Sequence, residues 1–173
     1  MENTLLLLLT VTGPALLAAV ALLSRLNIGP RDRYLLTASR MATGATLVLA
    51  IASAIYVVQN GTTSSSMLGI DPIAFSLRLD SLSATLFGLI AFVGVIVVQF
   101  SRNYLGGEKR QGIFLGRLCL TLCAVSMLVL SGSLLQLVIA WVGTSVALHR
   151  LLLFYSDRPR AVAAARKKFI CAR

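Results

Sequence analysis

Five long apolar runs, at about residues 4–23, 41–58, 82–100, 113–130 and 134–155, restrict this chain more than any other feature. Each comes close to the roughly 20 apolar residues that a helix needs to cross a hydrocarbon core of about 30 Å. Lipid offers no water to backbone N–H and C=O groups, so each run must satisfy its own as a helix. The expected fold is all-α: a multi-pass transmembrane helical bundle of five spans. Only 13% of the 173 residues are charged, against about 25% in soluble domains. That composition excludes an ordinary water-soluble enzyme, and 57% hydrophobic residues exclude a disordered chain.

The formal charge of +10 does not indicate nucleic acid, because the basic residues sit between apolar runs and not on a water-soluble face. They serve instead to orient the chain. Lysine and arginine number four in the first connection (Arg25, Arg31, Arg33, Arg40), one in the second (Arg78) and three in the third (Arg102, Lys109, Arg110). The fourth connection has none and the segment 156–173 has six. Cytoplasmic loops hold the basic excess, so the alternation predicts an N-terminus outside and a C-terminus in the cytoplasm. Residues 1–155 then form the transmembrane region, and 156–173 a basic cytoplasmic segment leading into a truncated sixth helix. Ser131-Gly132-Ser133 leaves room only for a tight hairpin between spans four and five. In the first span, Gly13-Pro14 is expected to be a tolerated kink. Small residues at Ala50, Ala54, Ala84, Gly88 and Ala91 predict close helix contacts.

Ionisable and polar groups inside membrane helices are candidates for function, since a charge at the centre costs about 2.5–3.5 kcal/mol. Arg117 lies about one turn inside the cytoplasmic end of span four, where its long side chain can snorkel and act as an interface anchor. Span five is the most polar. Trp141, Ser145 and His149 fall on one stripe, with Gln136, Gly143 and Arg150 roughly opposite. A helix polar on two sides is expected to be enclosed by other helices or to border water, which makes His149, Arg150, Thr144 and Gln136 candidate coupling or pathway-lining residues. The other reading places His149 and Arg150 at the cytoplasmic end, solvated or bonded to phosphate and carbonyls. Histidine is the one side-chain type among these whose ordinary pKa lies near neutrality, about 6.5.

No glycine-rich nucleotide loop, nucleophilic triad or metal-ligand cluster is present in the sequence, so neither cofactor, metal nor catalytic site is expected. Cys119 and Cys123, four apart, read as small packing residues, and Cys171 adds no ligand spacing. The central portions of the spans contain no Asp, Glu or Lys. A proton wire needs several titratable groups in series, so this stretch is expected to conduct no ions alone.

The stretch from Phe75 to Ser83, with Leu79-Asp80-Ser81-Leu82-Ser83, and then Ser101-Arg102-Asn103-Tyr104, resembles a known family. It is similar to the N-terminal region of the antiporter-like membrane subunits of respiratory complex I, of the chain L type, and of multisubunit sodium/proton antiporters. Asp80 matches that family's L-D-x-L-S motif, and Ser101–Tyr104 part of its Y-S-x-x-Y segment. Ala140-Trp141-Val142-Gly143 stands where the family reads G-W-E-x, and Val142 replaces the glutamate of the ion-pumping members. The segment Leu148-His149-Arg150 to Tyr155, with Arg158-Pro159 following, looks most like a divergent branch, the DabB type of membrane subunit of bicarbonate or carbon dioxide uptake complexes. The resemblance implies an N-terminal fragment of a proton-coupled subunit in a bacterial inner membrane. It further implies a large soluble, zinc-bearing, carbonic-anhydrase-like partner for carbon uptake, or other antiporter-like membrane subunits for a complex I or antiporter role. A non-conducting scaffold is the third reading.

Overall fold

A computed structural model describes residues 2–26, 32–64, 76–106 and 111–155. Five helices follow in order: α1 (Glu2–Leu26), α2 (Asp32–Asn60), α3 (Ser81–Tyr104), α4 (Gln111–Val129) and α5 (Leu134–Leu152). A 3-10 turn, Leu153–Tyr155, extends α5. Tyr34–Asn60, Ser81–Tyr104, Gln111–Val129 and Leu134–Leu152 are long and apolar enough to cross a membrane, and Thr10–Leu26 within α1 is a shorter apolar helix. The chain is an all-α multi-pass membrane bundle. The proposed basic segment 156–173 and the start of a sixth helix lie outside the described residues.

Two features differ from the sequence expectation. Helix α2 begins at Asp32, ahead of the apolar run at 41–58, because 33–40 holds neither glycine nor proline to break it. The connection after α2 also contains a two-residue strand, β1 (Thr63–Ser64), paired antiparallel with β2 (Arg78–Leu79). The segment carrying β2 docks on the α4–α5 hairpin: the Arg78 amide donates to Leu130 O at 3.2 Å and the Gly132 amide to Ser76 O at 2.8 Å. A Cβ on residue 132 would lie 2.9 Å from that Ser76 oxygen, so glycine permits this approach. Ser133 caps α5 by accepting the Gln136 amide.

Helix α4 is the centre of the bundle, packing against each of the other four helices. Helix α5 packs chiefly on α4. Phe87 of α3 is fully buried with Ala50 of α2, Ala84 and Ala91 of α3, and Leu130. A second cluster joins Leu17, Val20 and Ala21 of α1 to Ala42 of α2 and Cys119 of α4. Lipid tails are as apolar as leucine, so shape complementarity and not water exclusion holds such contacts. Ala50, Ala84 and Ala91 fulfil the expected close approach. Gly88 does not, since a Cβ there would meet nothing within 4 Å.

Helix α1 runs continuously through Gly13-Pro14. Proline removes one ladder donor, and at this step Thr46 of α2 reaches across, its hydroxyl 3.3 Å from Gly13 O and 2.7 Å from Ala42 O.

Candidate functional site

Polar groups gather at the two ends of the bundle. At one end, the N-terminus of α3 meets the α4–α5 hairpin. Asp80 is the N-cap of α3: its carboxylate accepts the Ser83 amide at 2.7 Å, and the Ser83 hydroxyl accepts the Asp80 amide at 2.8 Å. Both halves of a capping box are thus present. The Ser83 amide and hydroxyl hold the Asp80 pKa below its ordinary value of 3.8, with the Arg78 guanidinium, at 3.6 Å, adding to the effect. The motif residue Asp80 therefore starts a helix at its rim and lies outside the span.

At the opposite end, the C-termini of α1 and α5 meet the N-terminus of α4. Arg25, Arg117 and Arg150 line a cavity of about 450 Å³ whose remaining walls are Ala21, Ser24, Ile113, Gly116, Leu120 and Leu153. Arg117 is half-buried; its Nη1 donates to Arg150 O at 2.9 Å, and its guanidinium lies 5.8 Å from the centre of the Phe154 ring. Phe154 in turn packs edge-on against Phe114, 5.1 Å between centroids. Nearby, Gln111 donates from Nε2 to Arg102 O at 2.7 Å, tying α3 to α4.

The four candidates on α5 do not form one site. Gln136 and Arg150 are separated by about 20 Å along the helix at 1.5 Å per residue. Gln136 is 6% exposed, and both polar atoms of its side-chain amide are buried with no hydrogen-bond partner among the described residues. Thr144 donates to Ala140 O in its own helix. His149 is half-buried, whereas Arg150 is exposed and joins the cavity. Enclosure of α5 by other helices, one of the two expectations for it, is not met within the described residues: Leu134, Leu135, Ile139, Trp141 and Val142 are all exposed, Val142 by 59%. The grouping of Arg117 with Arg25 and Arg150 joins three helices and is not carried by any one of them. The available signal was that all three arginines fall at the same, basic end of an alternating topology.

With this geometry in place, known proteins supply a context. Residues 68–115 match the family model for the NADH-ubiquinone oxidoreductase (complex I) chain 5 N-terminus. The chain is similar to the antiporter-like membrane subunits. Among these subunits, the "Probable inorganic carbon transporter subunit DabB" of Hydrogenovibrio crunogenus is 40% identical over 99 residues, covering 55% of this chain and 18% of that protein. The "Probable inorganic carbon transporter subunit DabB2" of Halothiobacillus neapolitanus is 37% identical over 105 residues, 61% of this chain and 19% of the other. NADH-quinone oxidoreductase subunit L of Escherichia coli K12 is 32% identical over 101 residues, 58% of this chain and 16% of the other. The matches thus span less than a fifth of each antiporter-like relative. In the membrane-bound sulfane sulfur reductase, an archaeal respiratory membrane complex, one chain shares the fold with a TM-score of 0.72 at 15% identity. That likeness covers 98% of this chain and 33% of that one.

Proposed function

We propose that this sequence forms the N-terminal helices of a proton-coupled membrane subunit in a bicarbonate or carbon dioxide uptake complex. The observation that carries the reading is the 40% and 37% identity to the two DabB proteins, above the 32% to subunit L. Val142, a side chain that cannot titrate, stands where the resemblance places the glutamate of the ion-pumping members, and counts against the ordinary complex I or antiporter role. The subunit lies in a bacterial inner membrane with its N-terminus outside and its arginine-lined end cytoplasmic, following the basic alternation. The exposed apolar face of α5 accommodates further membrane helices, and a large soluble zinc-bearing subunit completes the complex. His149, Arg150, Thr144 and Gln136 border the coupling path.

Labelled bicarbonate uptake tests the reading, using bacteria that express the full reading frame with its genomic neighbours. Accumulation is expected to require this chain, to collapse with a protonophore, and to fall in a His149→Ala variant. Unchanged uptake in that variant removes the histidine from the path. The match of 68–115 to complex I chain 5 favours a second reading, a proton-translocating subunit of NADH-quinone oxidoreductase or a cation/proton antiporter. Sodium/proton exchange or quinone-linked proton movement without carbon accumulation would select it. The chain by itself in liposomes is expected to pass no protons.

A further inference from the structure

We propose that the cavity between the ends of α1, α4 and α5 binds the phosphate group of an anionic phospholipid. Three helices each contribute one arginine, Arg25, Arg117 and Arg150, and no carboxylate is among the described lining residues. Three like charges around one cavity repel, and a phosphate between them turns that repulsion into attraction. Guanidinium groups suit the ligand, because their fixed fork of donors matches phosphate oxygens. Arg117 is held in place from two directions, by its bond to Arg150 O and by the Phe154 ring.

The walls select a lipid over a small hydrated anion. Ala21, Ile113, Leu120 and Leu153 are apolar, and about 450 Å³ is of the size that holds a headgroup with its glycerol. Ile113 is the one exposed residue of α4, so the cavity opens beside a surface that acyl chains can cover. Arg25 and Arg150 lie in the last turns of α1 and α5 and Arg117 in the second turn of α4, the helix ends that the proposed topology places at the cytoplasmic interface. Basic pockets between helices at this level bind anionic headgroups, each arginine worth about fivefold in affinity.

The test is native mass spectrometry and thermal shift on the purified chain, with phosphatidylglycerol, cardiolipin, phosphatidylcholine and inorganic phosphate as separate probes. Phosphatidylglycerol and cardiolipin are expected to be retained and to raise the melting temperature, and phosphatidylcholine to do neither. Arg25→Gln and Arg150→Gln should each weaken anionic-lipid binding about fivefold, and the two together about 25-fold. Arg25→Lys and Arg150→Lys, which keep the charge but lose the fork of donors, should bind more weakly than the parent and more tightly than the Gln variants. Arg102→Gln is the control, since the same charge is lost at the same end outside the cavity, and binding should hold. Equal weakening by Arg102→Gln, equal retention of phosphatidylcholine, or unchanged binding in the double variant would overturn the site. An equal thermal shift from millimolar inorganic phosphate, competing with lipid, would reassign the cavity to a soluble oxyanion and overturn the lipid assignment.

Discussion

Gly116→Ala should separate α1 from α4. A Cβ at residue 116 would stand 1.7 Å from Ser24 Oγ and 2.3 Å from Ser24 Cβ. Rotating Ser24 relieves the first clash at the expense of its hydroxyl bond to Ala21 O, now 2.7 Å. Rotation leaves the second clash untouched, because Cβ is fixed to the backbone. Reaching the 3.4 Å of ordinary contact requires the two helices to part by about 1 Å at this crossing. Overpacking of this kind costs about 1–3 kcal/mol. Cys119 reports the result: it is fully buried against Leu17, Val20 and Ala21 in the same interface. In a background with Cys123 and Cys171 replaced by serine, maleimide should label Cys119 about 5- to 150-fold faster in the variant when opening and closing are fast relative to the labelling step. Ser24→Gly should restore slow labelling, while Ser24→Ala, which keeps the offending Cβ, should not. Parental labelling in Gly116→Ala, or equal rescue by both second-site changes, would refute the packing argument.

Asp80→Ala, or Ser83→Ala on the other half of the capping box, should destabilise the start of α3 by about 1 kcal/mol, measured by denaturant titration of the purified chain. Because folding lowers the Asp80 pKa, its contribution is complete above the ordinary value of 3.8 and fades as pH falls through the lower folded value. The stability difference between the parent and Asp80→Asn should accordingly shrink below about pH 4, and a difference that grows there would contradict the assignment. Gln136→Leu replaces an amide whose two polar atoms are buried without a partner among the described residues. Stability should rise by about 1–3 kcal/mol, and a loss would mean that the amide is satisfied by water or a neighbouring subunit in the membrane. Gly132→Ala should loosen the docking of β2 on the α4–α5 hairpin, because its Cβ meets backbone atoms of Ser76 that cannot rotate away. Faster amide exchange at Arg78 than in the parent is the expected sign.

Composition and spacing made much of the fold legible, since long apolar runs in lipid have few alternatives to helix. The hairpin at Ser131-Gly132-Ser133 and the signal at Leu79-Asp80-Ser81-Leu82-Ser83 were equally readable, because caps and tight turns depend on neighbours in the chain. The candidate site was less so. Arg117 was legible as a residue near an interface, but its grouping with Arg25 and Arg150 depends on which helix ends meet. The polarity of α5 suggested enclosure, yet α5 lies at the edge of the described bundle. Hydropathy measures what a helix carries, and its neighbours in the bundle follow from packing.

The amino-acid order alone therefore determined the all-α membrane class, the tight turn and the alternation of basic connections. Each of these follows from how a segment partitions between lipid and water, a property that a segment possesses without its neighbours. Tertiary structure decided that α4 occupies the centre, that Gly116 must face Ser24, and that three arginines from distant positions surround one cavity. Apolar helices gain no water-exclusion energy by choosing one apolar partner over another in lipid. Their arrangement is set by the fit of small residues and by a few interhelix bonds, which exist only once the helices have met.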